Sequence, residues 1–163
     1  MEPAIKTPEQ LLQYRSLQKI LAEKPAVVYV VAPDSTVFSA IQLMADKNIG
    51  FVVVEQNGKL VGVLSERDYA RKVILKGRSS KDVVIREIMT TDVVTVTLDH
   101  TVPQCMALMH RGSFRHLPVV ADGKTLGVLS IRDVLKEIVA HHERLIRDME
   151  LAKLTMLSGG TSY

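Results

Sequence analysis

The chain repeats itself at a spacing of 65 residues. DSTVFSAIQLM at 34–44 lies over DHTVPQCMALM at 99–109, and GKLVGVLSERD at 58–68 lies over GKTLGVLSIRD at 123–133, with no gap between the two matches. Identical pairs are Asp34/Asp99, Thr36/Thr101, Val37/Val102, Leu43/Leu108, Met44/Met109, Gly58/Gly123 and Lys59/Lys124. They resume at Gly62/Gly127, Val63/Val128, Leu64/Leu129, Ser65/Ser130, Arg67/Arg132 and Asp68/Asp133. A repeat of this length is one supersecondary unit used twice, and each copy leaves an apolar face for a neighbour to cover. The 163 residues leave room for one domain, or for two small ones that cannot stand apart.

Both copies read in the same order. A short strand (27–31; 93–96) leads to an Asp-x-Thr cap and a helix with Val37, Ile41, Met44 and Ala45, or Val102, Met106 and Met109, at helical spacing. An apolar strand follows (49–54; 117–120). Turns at Asn57-Gly58 and Asp122-Gly123 return the chain as a hairpin into 60–64 and 126–129. A second helix starts at Ser65 or Ser130. The strands are apolar on both faces, so helices must cover at least one side. The expected fold is α/β (α+β), two βαββα modules in tandem with helical extensions at both ends. The divisions are 1–16 N-terminal extension, 17–76 first module, 77–85 hinge, 86–142 second module and 143–163 C-terminal helix and tail. Residues 8–24 read as a helix, and the last helix continues through Ile138, Leu145, Met149 and Leu154, packing on the sheet or on a second subunit.

Composition excludes several classes. Charged residues make up 24% and the net charge is +3, too weak for a nucleic-acid binder by composition alone. The basic run Arg67, Arg71, Lys72, Lys76, Arg78 and Lys81 is interrupted by Glu66 and Asp82 and reads as a solvated helix face and hinge. Aromatics are 4% with no Trp, which disfavours base-stacking platforms. The single Cys105 allows no internal disulfide and aligns with Ala40 in a core-facing position. The five histidines are scattered, and His141-His142 point in different directions on a helix. No catalytic set and no metal set emerges, so the expectation is a protein that is not an enzyme and has no catalytic cofactor. No signal sequence or bilayer-length apolar run is visible, so the expected location is cytoplasmic, without a membrane.

The informative string is Gly-Val-Leu-Ser-x-Arg-Asp, at 62–68 and 127–133. As plain structure it is a capping box: the Ser oxygen accepts from a first-turn N–H, and the Asp reaches back to the cap N–H. A cap does not require Arg67 or Arg132, since a cation in the first turn is disfavoured by roughly 0.3–1 kcal/mol. Amides and arginine suit a phosphate, and a carboxylate can take ribose hydroxyls. Ile49-Gly50-Phe51 and Phe114-Arg115-His116 offer backbone edges for a base.

The doubled unit with Gly-x-x-Ser-x-x-Asp resembles the CBS domain, named after cystathionine β-synthase, in its usual tandem pair, over about 17–142. The resemblance implies a pseudo-twofold pair with two clefts for adenosine nucleotides, AMP foremost, with ATP, ADP, NAD or S-adenosylmethionine also candidates. It places ribose and phosphate on Ser65 and Asp68 in one cleft and on Ser130 and Asp133 in the other. Basic residues facing the shared centre would be Arg115 and His116, where the first unit has Gly50 and Phe51, so the clefts are not equivalent. Ser35, Thr36, His100 and Thr101 would border base or ribose, with helix capping as their plain alternative. The resulting expectation is a regulatory module with a homodimeric assembly and an unidentified regulated protein. The competing readings are a ligand-free dimerisation module and, behind it, nucleic-acid binding through the basic run.

Overall fold

The computed structural model describes residues 13–25 and 27–158. The fold is mixed α+β, and it follows the repeat closely. The first unit contains β1 (Val30–Val31), α2 (Val37–Lys47), β2 (Phe51–Gln56), β3 (Lys59–Ser65) and α3 (Glu66–Lys72), preceded by α1 (Leu17–Ala22). The second contains α4 (Val102–Gly112), β4 (His116–Ala121), β5 (Lys124–Ser130) and α5 (Ile131–Ser158). Bounds of α2, β2 and β3 recur in α4, β4 and β5 at the repeat spacing.

Local chemistry explains the recurrence. Thr36 and Thr101 cap the first helices, each Oγ1 accepting from the N–H three residues on. Asn48 and Ser113 end those helices in the left-handed region at φ 52°. The hairpin turns need two consecutive positive φ values, 54° and 71° at Asn57-Gly58 and 50° and 76° at Asp122-Gly123. In each hairpin the register slips at the same place, between Val54 and Glu55 and between Val119 and Val120.

The strand leading each unit is shorter than expected. In the first unit 27–31 reduces to Val30 and Val31, parallel to Val53 and Val54. In the second, 93–96 forms only an isolated parallel bridge, Val96 to Val119. Proline supplies the reason. Val53 N donates to Tyr29 O at 3.0 Å, whereas the residue at that place in the second unit is Pro118, which has no N–H to give.

Each unit's core is completed by the segment that precedes the other unit. Leu17 and Ile20 of α1 are buried with Val96, Val102, Met109, Leu117, Leu129 and Val134 of the second unit. Val83, Ile85 and Ile88 are buried with Val37, Met44, Val52, Val54 and Leu64 of the first. Burying Leu17 or Ile20 contributes roughly 1.5–3 kcal/mol each. The crossing explains two glycines of the repeat. A methyl group on Gly62 would stand 2.8 Å from Met89 Sδ and 3.0 Å from Thr90 O, and one on Gly127 would stand 3.1 Å from Leu21 Cδ2. The expected helix over 8–24 is therefore the six-residue α1, begun by Ser16, and 13–16 is not helical; residues 8–12 lie outside the described residues.

Cys105 is buried in the second core, and burial pushes its thiol up to about 11. Met109 is buried there too, but Met106, expected on the same face, is 43% exposed. The extension beyond the second core is apolar yet uncovered: Met149 is 64% and Leu154 62% exposed. No helix among the described residues is long and apolar enough to cross a membrane.

Candidate functional site

Two cavities flank a shared floor formed by Gly50, Phe51, Arg115 and His116. The rings of Phe51 and His116 stack there, with centroids 4.7 Å apart and planes 13° from parallel. The smaller cavity, about 340 Å³, joins Ser65, Arg67 and Asp68 of the first unit to Val93, Val94, Ser113 and Phe114 of the second. The larger, about 870 Å³, joins Ser130 and Arg132 of the second unit to Val28, Tyr29, Asn48 and Ile49 of the first. Each cleft thus takes its motif serine and arginine from one unit and its opposite wall from the other. Both volumes fall near the ~300–1,000 Å³ usual for small-molecule sites.

The motif itself forms capping boxes. Ser65 N and Oγ donate to Asp68 Oδ2 at 3.0 and 2.7 Å, and Asp68 N donates to Ser65 Oγ at 3.2 Å. Ser130 and Asp133 repeat this at 2.7, 2.7 and 3.3 Å. The N–H that opens each helix goes to a carbonyl on the shared floor, Glu66 N to Gly50 O and Ile131 N to Arg115 O. Arg67, which the cap does not need, donates to Ser113 O at 2.9 Å across the units. Its counterpart Arg132, and Arg115, have no hydrogen-bond partner for their guanidinium groups among the described residues.

The remaining carboxylate oxygens differ. Asp68 Oδ1 is paired with Lys72 Nζ at 2.8 Å on its own helix and approached by Thr90 Oγ1 at 3.4 Å. In the second unit the position of Lys72 is Glu137, so the cation comes from elsewhere. Lys24, just beyond α1, donates to Asp133 Oδ2 at 2.7 Å and to Val128 O at 2.8 Å. Asp133 Oδ1 is left without a partner among the described residues. Burial opposes ionisation of Asp68 and Asp133, but the lysines and serines outweigh it and hold both below the usual carboxylate range. Burial, then Arg115, Lys24 and Arg132, hold His116 below its ordinary value, with Asp133 partly opposing.

The structure brings together most of the expected residues but not all. Ser65, Arg67, Asp68, Phe114, Ser130, Arg132, Ile49, Gly50, Phe51, Arg115 and His116 line one cavity or both. Asp133 lies behind Lys24. Ser35, Thr36, His100 and Thr101 line neither. The N-terminus of α2 faces the 80–85 segment, with Val37 N bonded to Val83 O and Phe38 N to Ser80 O, so those residues serve the helix start. His100 Nδ1 accepts from Thr97 N instead. Lys24, Glu66 and Asp92 were not foreseen. Lys24 and Asp92 lie outside the matched repeat strings, in segments that reach a cleft only when the lead-ins cross. The basic run is largely committed within the chain, through Lys72 to Asp68, Arg78 to Glu87 and Lys81 over the Phe38 ring. Among the described residues no three His, Cys, Asp or Glu converge for a metal.

The other feature the sequence did not reveal is a buried ion triad. Glu137, 1% exposed, accepts from Arg15 N at 3.0 Å, Arg15 Nε at 2.6 Å and Arg144 Nη2 at 2.7 Å, while the Tyr14 ring lies tilted against buried His141. The triad ties the N-terminal segment to α5.

Two βαββα-type units, each closing the other's core and sharing two clefts, define a tandem-module protein. The chain belongs to the CBS domain family, whose model matches residues 23–74 and 85–140. A mitochondrial CBS domain-containing protein of Arabidopsis thaliana is 40% identical over 114 residues, which is 67% of this chain and 55% of that protein, so the chain spans about half of that relative. A CBS-domain structure from Burkholderia ambifaria, given a provisional signal-transduction role, is 42% identical with a TM-score of 0.74, covering 77% of this chain and 95% of its own. A CBS domain pair solved with 5′-methylthioadenosine and S-adenosyl-L-methionine shares the fold, with 24% identity and a TM-score of 0.68 over 78% of this chain and 98% of its own.

Proposed function

We propose that the chain is a non-enzymatic regulatory module that binds an adenosine nucleotide, AMP foremost, with ADP, ATP, NAD and S-adenosylmethionine as further candidates. One observation carries the reading: the 870 Å³ cleft sets the uncommitted guanidinium groups of Arg115 and Arg132 beside Lys24, whose ammonium pairs with Asp133. Cations suit a phosphate and a carboxylate oxygen suits a ribose hydroxyl. Ile49, Leu126 and Val128 supply apolar wall for a base. The lone cysteine fits a reducing compartment, and a cytoplasmic location is part of the proposal.

Calorimetric titration and thermal melting with the five candidates test the reading. A ligand at a hundred times its Kd stabilises the fold by about 2.7 kcal/mol. Neither heat nor a melting shift with any of them overturns it in favour of a ligand-free module.

Assembly is a second strand of the proposal. Leu135, Val139, Ile146 and Met149 are all more than half exposed and lie on one stripe of α5, spaced as in a coiled-coil seam with His142 between. A homodimer would cover them, and an unidentified regulated protein would read its state. A monomeric mass by light scattering at micromolar concentration counts against the dimer.

A further inference from the structure

The two clefts differ in charge where the repeat would make them alike. The lining of the larger carries three cations, Lys24, Arg115 and Arg132, against one carboxylate, Glu66. That of the smaller carries two, Arg67 and Arg115, against three, Glu66, Asp68 and Asp92. Asp92 stands where the repeat puts Val27 in the larger cleft, so a carboxylate replaces an apolar side chain. Arg67 is also committed to Ser113 O at 2.9 Å, while Arg132 has no such bond. Finally, the smaller cavity has 340 Å³ against 870 Å³.

We infer that the clefts divide adenosine ligands by the charge of the 5′ substituent: the larger takes a 5′-phosphate, and the smaller takes a 5′ group that is uncharged or cationic, such as a thioether or sulfonium. The inference rests on the reading of both clefts as nucleoside sites. A phosphate dianion in the smaller cleft would face Glu66, Asp92 and the Lys72-paired Asp68, with Arg115 and the already bonded Arg67 to offset them. A sulfonium or an amino group would instead find Asp92 and Glu66 as counter-charges. In the larger cleft the preferences reverse.

Equilibrium dialysis of the full chain with AMP and S-adenosylmethionine, separately and together, provides the test. Both ligands are expected to be retained at once, one of each per chain. Arg132→Ala should weaken AMP by at least about tenfold, the value of a charged hydrogen bond, and leave S-adenosylmethionine within about twofold. Asp92→Asn should do the reverse. Both side chains are exposed, so both variants should melt as the parent does. Mole-for-mole displacement of one ligand by the other, or equal weakening of both by Arg132→Ala, overturns the division while leaving nucleotide binding intact. Retention of neither ligand overturns the nucleoside reading together with it.

Discussion

The two units share a backbone plan but neutralise their motif carboxylates by different routes. In the first, Lys72 on α3 pairs with Asp68 from within the same helix. In the second, the same position is Glu137, which would repel Asp133 rather than help it. The unit therefore imports Lys24 for Asp133 and surrounds Glu137 with Arg15 and Arg144. One exchanged charge in the repeat thus makes the first unit's motif self-contained and the second dependent on the N-terminal segment. An internal ion pair fixes local geometry only, whereas a pair that spans the chain couples two distant parts of it.

The largest expected effect breaks that dependence. Glu137→Ala removes a buried carboxylate that accepts three hydrogen bonds from Arg15 and Arg144, each worth about 1.5–3 kcal/mol. Since Arg15 keeps Glu23 and both arginines reach solvent, the loss should be about 3 kcal/mol. Chemical denaturation should show this loss, and hydrogen exchange should show residues 13–25 losing protection. A destabilisation below about 1 kcal/mol would mean that the triad contributes little.

Next comes the packing of the crossed segments, where the units can be compared directly. Gly62→Ala drives a methyl against Met89 and the Thr90 carbonyl, a backbone atom that cannot yield, and should cost about 1–3 kcal/mol. Gly127→Ala meets only the flexible end of Leu21 and should cost less than about 1 kcal/mol. Equal melting temperatures for the two variants would contradict this account of the repeat's glycines.

Smaller still is Lys24→Ala, at about 1 kcal/mol, because the lysine is partly exposed and the pair is screened. Its signature is the location of the effect: exchange protection should fall in 13–25, whereas Lys72→Ala should loosen only the α3 region. The subtlest test uses pH. His116 is buried among Arg115, Lys24 and Arg132, with Asp133 partly offsetting them, so the folded chain takes up its proton at lower pH than the unfolded chain. Its contribution is present above pH 6.5 and is lost as pH falls below that value. His116→Asn should flatten the stability slope in that window; an unchanged slope would assign it to other groups.

Much of this fold is written locally in the sequence. Thr36 and Thr101 announce helix starts, Asn57-Gly58 and Asp122-Gly123 announce hairpins, and Ser65 and Ser130 announce caps, because each acts on groups within a few residues. The crossing of the lead-ins is not local. Ile20 reads as an amphipathic helix residue with no indication of which core receives it, and Arg15 meets Glu137 across 122 positions. The same limit hid Lys24 and Asp92 from the candidate site. Ser35 and Thr36 do not line the clefts for a related reason: the orientation of α2 depends on the 80–85 segment it bonds, whereas His100 turns to Thr97 and Thr101 caps α4. Even the shortened second lead strand has a readable cause, Pro118, whose effect shows only once its partner strand is known.

The exchange of core-filling segments also sets an order on synthesis. When residues up to about 90 have left the ribosome, the first unit already has Val83, Ile85 and Ile88 and can close. Helix α1, made earlier, must wait for β5 and the start of α5, holding Leu17 and Ile20 exposed while the second half is produced. At 5–20 residues per second that wait is a matter of seconds. Helix α1 is therefore among the last elements to dock, and it is the part a chaperone would have to shelter.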